Sequence, residues 1–225
     1  MTPSQKTGIA HSATTPRAAA VAGIIFTLVF SLGIVLVRVS VNALDNGEFT
    51  ADTQRQLTWA MALMPFAGIA FLWFLGVIRH QLGENEDKFF ATVTLGSGLL
   101  FVAMSFVASA VAVGMMTAYG DGGSHDSYIF GRTVIDQVFN IYALKMAALF
   151  MSSLGTLWQK TEVMPRTLAW GTYILSFILL ASVSRNLWLT LLFPAWVLVI
   201  SIFILVTGLR RRGGTSDAFV FQGDG

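Results

Sequence analysis

The sequence contains no cysteine, which excludes disulfides, Cys-ligated zinc, iron–sulfur clusters and thiol nucleophiles together. Histidine is nearly as scarce. His11, His80 and His125 fall in the N-terminal stretch and in two different connections, so no histidine cluster forms, and neither a metal nor any other cofactor is expected. Charge is also in short supply. Only 12% of the 225 residues are Asp, Glu, Lys or Arg, about half the share of an ordinary soluble domain. With a net charge of +2 and basic residues gathered at the ends of apolar runs, there is no cationic stripe for a nucleic acid, and none is expected as a partner. No glycine-rich phosphate loop marks an ATP-driven machine, and no paired acids or histidines stand where general acid–base chemistry would need them.

Hydrophobic residues, at 55%, fill the space these shortages leave. A helix needs about twenty apolar residues to cross a bilayer. Runs of that kind occur near 18–40, 57–78, 89–117, 133–157, 166–184 and 187–209. They predict an all-α polytopic transmembrane helix bundle of about six spans over residues 18–209, with disordered tails at 1–17 and 210–225. The last two runs meet at Ser184-Arg185-Asn186, which is read as a tight helical hairpin because one unbroken helix would be too long. The alternative is five spans, with one of these segments re-entrant or lying at the interface. Val41-Asn42-Ala43 has signal-peptidase spacing, but the preceding apolar stretch is longer than a signal core and ends at Arg38, so the first span is expected to be retained.

Short-loop cations bias insertion toward a cytoplasmic position. With both termini inside, Lys6, Arg17, Arg79, Lys88, Lys160, Arg166, Arg210, Arg211 and Arg212 face the cytoplasm, while Arg38, Arg55, Arg132 and Arg185 lie outside: nine against four. The chain is therefore expected to be N-in and C-in. Trp59, Trp73, Trp158, Trp170 and Trp188 fall near the predicted boundaries, where indole rings favour the interface. Pro65 and Pro194 lie inside the second and sixth runs, where membrane helices tolerate a kink.

The fourth run carries the most polar residues. Arg132, Asp136 and Asn140 share one helical face, while Tyr142 and Lys145 lie nearly opposite, so this span is expected to be the central helix. At about 13 Å outward of Lys145, Asp136 is level with Arg38 of the first span and Arg185 at the end of the fifth. An interhelical pair between Asp136 and Arg38 or Arg185 is one arrangement, and the intrahelical Arg132–Asp136 pair competes with it. Such a layer either fixes helix register or lines an outward vestibule for an anionic or zwitterionic molecule. Lys145, near the midplane, needs a hydroxyl or ring from Tyr142, a bed of hydroxyls and backbone groups, water, or a bound ligand. A Schiff-base role lacks a counter-ion at that depth. In the third run, Gly96, Gly98, Ser105, Ala108, Ser109, Ala112 and Gly114 suit close helix approach, either within the bundle or to a second copy or another membrane protein.

The segment Phe71-Leu72-Trp73-Phe74-Leu75-Gly76-Val77-Ile78-Arg79, continuing through Gly83-Glu84 and Asp87-Lys88-Phe89-Phe90-Ala91-Thr92 to Gly96-Ser97-Gly98, resembles uncharacterised bacterial multi-pass membrane proteins. The resemblance implies a bacterial inner (plasma) membrane and no particular activity. Taken together, the sequence points to a non-enzymatic membrane scaffold or ligand- or partner-binding bundle. A small-solute or ion transporter or channel is the alternative, and a membrane-embedded lipid enzyme is less well supported. The candidate ligand-binding residues are Lys145, Tyr142, Asp136, Asn140, Arg38, Arg185 and Arg132.

Overall fold

A computed structural model of the chain describes residues 15–45, 50–82, 88–120, 124–160, 164–182 and 187–217. All regular structure among them is helical. The helices are α1 (Thr15–Asp45), α2 (Ala51–Leu82), α3 (Lys88–Gly120), α4 (His125–Asp136), a π-helical segment (Gln137–Ala143), α5 (Leu144–Lys160), α6 (Arg166–Ala181) and α7 (Leu187–Asp217). Because α4, the π segment and α5 form one continuous rod, the molecule is a bundle of six rods. In hydrocarbon every backbone N–H and C=O must be satisfied within the chain, which is why such apolar runs wind into helices. Their hydroxyl residues follow the same rule: Ser105 and Ser109 bond back to the carbonyls of Phe101 and Ser105, each at 2.8 Å.

Five rods are long and apolar enough to cross a membrane: 17–43, 51–79, 88–118, 126–160 and 188–207. The sixth differs from the sequence expectation. α6 is 16 residues, not the nineteen of 166–184, and so about 24 Å long, short of a ~30 Å hydrocarbon core. It does not lie across the bundle. Ser176 Oγ donates to the Ala148 carbonyl at 2.7 Å, and Thr156 Oγ1 meets the Tyr173 hydroxyl at 2.8 Å, so α6 runs antiparallel beside α5. α7 continues as helix to Asp217, beyond the expected end of its span, whereas 1–14 and 218–225 of the expected tails lie outside the described residues.

The rods sort into two groups. α1 packs on α2 and α7, while α3 packs on α4, the π segment and α5, and α5 packs on α6; α2 and α3 make the main seam between them. Glycines permit the tightest approaches. A Cβ on Gly23 would stand 2.0 Å from Ser201 Oγ between α1 and α7, and one on Gly131 would stand 2.9 Å from Met115 between α4 and α3. Gly98 of the expected small-residue stripe is similarly confined by Leu75 and Phe150, but Gly96 and Gly114 face open space.

Five fully buried phenylalanines, one each from α1, α2, α3, α5 and α7, tie the groups together: Phe26, Phe71, Phe101, Phe150 and Phe193. Phe71 reaches all four others, with ring centroids 4.9 Å from Phe26, 5.4 Å from Phe101, 5.3 Å from Phe150 and 5.7 Å from Phe193. Three of these contacts are edge-to-face, the geometry that ring quadrupoles favour. Trp158, expected at an interface, is instead in the core, 6.4 Å from Trp196. Trp59, Trp73, Trp170 and Trp188 are exposed. The fourth rod is not uniquely central either: it is buried to the same extent as α2.

Candidate functional site

Contacts between α1 and α7 define relative heights. Thr27 Oγ1 donates to the Pro194 carbonyl at 3.0 Å, and Gly23 meets Ser201, so these rods are antiparallel. Take the end bearing the α1–α2 and α3–α4 connections as distal. From Pro194, α7 extends only about 10 Å farther distally to Leu187, while from Thr27 α1 continues about 27 Å to Asp45. The α7 helix therefore begins well short of the distal ends of α1–α4. The inner walls of α1 and α4 face one another there without close backbone packing.

A cavity of about 100 Å³ occupies this place. Its polar wall includes Arg38 from α1, Ser105 and Ser109 from α3, Tyr128, Arg132 and Asp136 from α4, Asn140 from the π segment and Thr190 from α7; much of the remainder is apolar, including Ile34, Met61, Met64 and Met115. Four sequence-predicted site residues thus share one chamber. Asn140 Nδ2 donates to Asp136 Oδ1 at 3.1 Å, which fixes the carboxylate from within its own rod. Arg38, Arg132, Asp136 and Asn140 are each half-buried, and none of the three charged groups is without a partner. Pro194 has no N–H, so the Thr190 carbonyl has no helical donor at that position. Phe139, stacked at 6.0 Å on Phe30, also lines the chamber, and the five-phenylalanine knot lies on its proximal side.

The π segment joins the two polar environments of the fourth rod. Its wider winding follows Asp136 and ends one residue before Leu144, and Lys145 lies just beyond. Lys145 is not part of the chamber. Its Nζ donates to the Leu179 carbonyl at 3.1 Å, the Ser182 carbonyl at 2.6 Å, and the Leu180 carbonyl. The last four carbonyls of any helix lack intrahelical donors and carry the negative end of its dipole. Lys145 thus supplies α6 with a cationic C-terminal cap. Of the environments open to this lysine in the sequence, the backbone bed is the one formed. Tyr142 is 57% exposed on the outer surface of the rod, and Arg185 lies outside the described residues.

The rest of α6 is held in the same way. Trp196 Nε1 donates to Thr172 Oγ1 at 2.9 Å, and the Ser176 and Tyr173 bonds to α5 complete a polar seam. Sequence reasoning missed this seam. Its only trace is Thr172, Tyr173 and Ser176 on one side of a run whose other side carries Trp170, Ile174 and Phe177, all exposed.

Among the described residues, no group of three or more His, Asp or Glu could hold a metal ion. Fold and site together define a multi-pass helical membrane protein with a mixed-charge chamber at one end. No family model, curated protein or solved structure matches the chain.

Proposed function

We propose that the chain is a non-enzymatic bundle of a bacterial inner membrane, with both termini cytoplasmic, and that it binds a small ligand in the distal chamber, which then faces outward. One observation carries this reading: Arg38, Arg132, Asp136 and Asn140, drawn from two rods that do not pack on each other there, converge with Thr190 on a largely apolar cavity. Convergent polar groups on an apolar wall are the common form of a small-molecule site. A register-fixing ion layer alone would close on itself and leave no room. The excess of cations at the proximal connections supports the orientation.

Transport is the second reading, favoured by the chamber's place between two groups of rods. Passage would require the phenylalanine knot on its proximal side to part, so binding does not by itself imply flux.

Native mass spectrometry of protein purified from its own membranes tests the first reading. Wild type is expected to retain a small molecule or lipid that Arg38→Gln and Asp136→Asn variants retain differently while keeping the wild-type helical content. Identical spectra for folded variants and wild type would leave a scaffold, and proteoliposome flux would favour transport.

A further inference from the structure

We propose, building on the ligand-binding reading, that the ligand is a membrane lipid whose polar head sits in the distal chamber and whose acyl chain lies in a groove between α2 and α3. A second cavity, of about 340 Å³, lies between these two helices near their distal ends. Its exposed sides are Gln54, Thr58 and Ala62 of α2 and Val113 and Thr117 of α3. All five belong to rods long and apolar enough to cross a membrane, so the groove opens toward lipid. Its floor is shared with the chamber: Leu57 and Met61, both buried, line the two cavities alike. The partition between chamber and bilayer is thus one side chain thick. Proximally the groove closes where α2 and α3 converge, since a Cβ on Gly68 would stand 2.3 Å from the Phe106 ring.

The chemistry of the groove suits a hydrocarbon chain. Thr58 Oγ1 donates to the Gln54 carbonyl at 2.9 Å and Thr117 Oγ1 to the Val113 carbonyl at 3.1 Å, so both hydroxyls are satisfied within their own helices. What remains toward an occupant is largely apolar, and Arg38, Asp136 and Asn140 stand on the other side of the partition. Two joined compartments, one bearing charged groups and one not, match the two ends of an amphiphile. Their sizes agree, because the groove, at about 340 Å³, is larger than the chamber, at about 100 Å³. Met61 is the movable part of the partition, since its unbranched thioether has three rotatable bonds. Met115, on the chamber side, is confined by Gly131, where a Cβ would stand 2.9 Å from it. A lipid entering sideways past Met61 reaches the chamber without disturbing the phenylalanine knot.

The full chain is placed in nanodiscs of phosphatidylethanolamine and phosphatidylglycerol containing a trace of each lipid with a diazirine in the middle of one acyl chain. After illumination the labelled positions are mapped by mass spectrometry, and retained lipid is counted by native mass spectrometry. Labelling is expected to concentrate on 54–62 and 113–117. It should exceed several-fold that of the exposed Phe130, which is level with the groove because the adjacent Gly131 meets Met115. Ala62→Trp, which fills the groove from outside the chamber, is expected to lower groove labelling and lipid retention about tenfold. Val113→Trp does the same from α3 and decides the question if Ala62→Trp does not fold. Labelling no stronger in the groove than at Phe130, and unchanged in the tryptophan variants, overturns the groove as a site. Ligand binding then stands if Arg38→Gln or Asp136→Asn still alters what the folded protein retains, and fails too if neither does. A dimer mass lost in Ala62→Trp would put a second copy of the chain on this face and overturn the proposal.

Discussion

At the scale of single residues, the bundle depends on where a side chain is missing. Gly23 lets α1 approach α7 so closely that a Cβ would stand 2.0 Å from Ser201 Oγ and 2.9 Å from a Phe74 ring carbon. Gly23→Ala therefore has to displace a fully buried ring or spread two helices. It is expected to cost about 1–3 kcal/mol, the usual penalty for overpacking, seen as a lowered midpoint in thermal unfolding followed by tryptophan fluorescence. Gly96→Ala makes the matched control. Nothing lies within 4 Å of its added methyl, so helix propensity gives it a small stabilisation or no change. The abundance of small residues on the third span was legible in the sequence. Which of them mattered was not, because a glycine's constraint depends on the neighbouring rod: Gly98 meets Leu75 and Phe150, while Gly96 and Gly114 meet nothing, and the tightest case falls on the first span.

At the scale of elements, α6 shows how a short apolar helix can be held against its neighbours. Of its residues only Ala169, Thr172, Ser176 and Leu179 are buried, and two of these four are polar, so apolar contact contributes little to holding it. Interhelical hydrogen bonds and the Lys145 cap take over that role. Lys145→Met is approximately volume-conserving but leaves the carbonyls of Leu179, Leu180 and Ser182 without that donor. A hydrogen bond to a charged group is worth about 1.5–3 kcal/mol, so the variant is expected to loosen the α6 C-terminus. Faster hydrogen exchange at 177–182, with α1–α3 unchanged, would show this. Equal protection in mutant and wild type would mean the lysine holds nothing in place. That a lysine stands within an apolar run, where a charge is costly, was readable from the sequence. Its partner was not, since no glycine or proline marks the end of α6 at Ser182, and a helix that stops early looks the same as one that runs on to 184. The polar layer was better predicted, because charge at a given height on an apolar helix has few places to go: Arg38, Arg132, Asp136 and Asn140 came together, across a span whose π winding no uniform 100° step anticipates.

At the scale of the whole molecule, two helix groups meet through α2, α3 and the phenylalanine knot, and the chamber opens where α7 begins short of α1 and α4. Phe71, like Phe193, is in contact with the other four rings, so Phe71→Ala should cost about 3–5 kcal/mol and loosen both groups at once. The orientation proposed for this assembly rests on charge placement alone, and the absence of cysteine makes it directly measurable, because every introduced thiol is the only one in the chain. Single cysteines at Thr50 or Ser124, at the distal connections, are expected to react with a membrane-impermeant maleimide added to intact cells. Cysteines at Lys88 or Arg166 should react only after the membrane is opened, since a reagent confined to one side reads which ends lie there. The same method reaches the short helix: Ala181→Cys, at the end of α6, should be shielded from both sides if α6 stops within the apolar layer beside Lys145. Labelling there from outside as fast as at Ser124 would instead place the α6–α7 connection at the surface. The Lys145 cap would then sit in water, where three carbonyls have no need of a lysine.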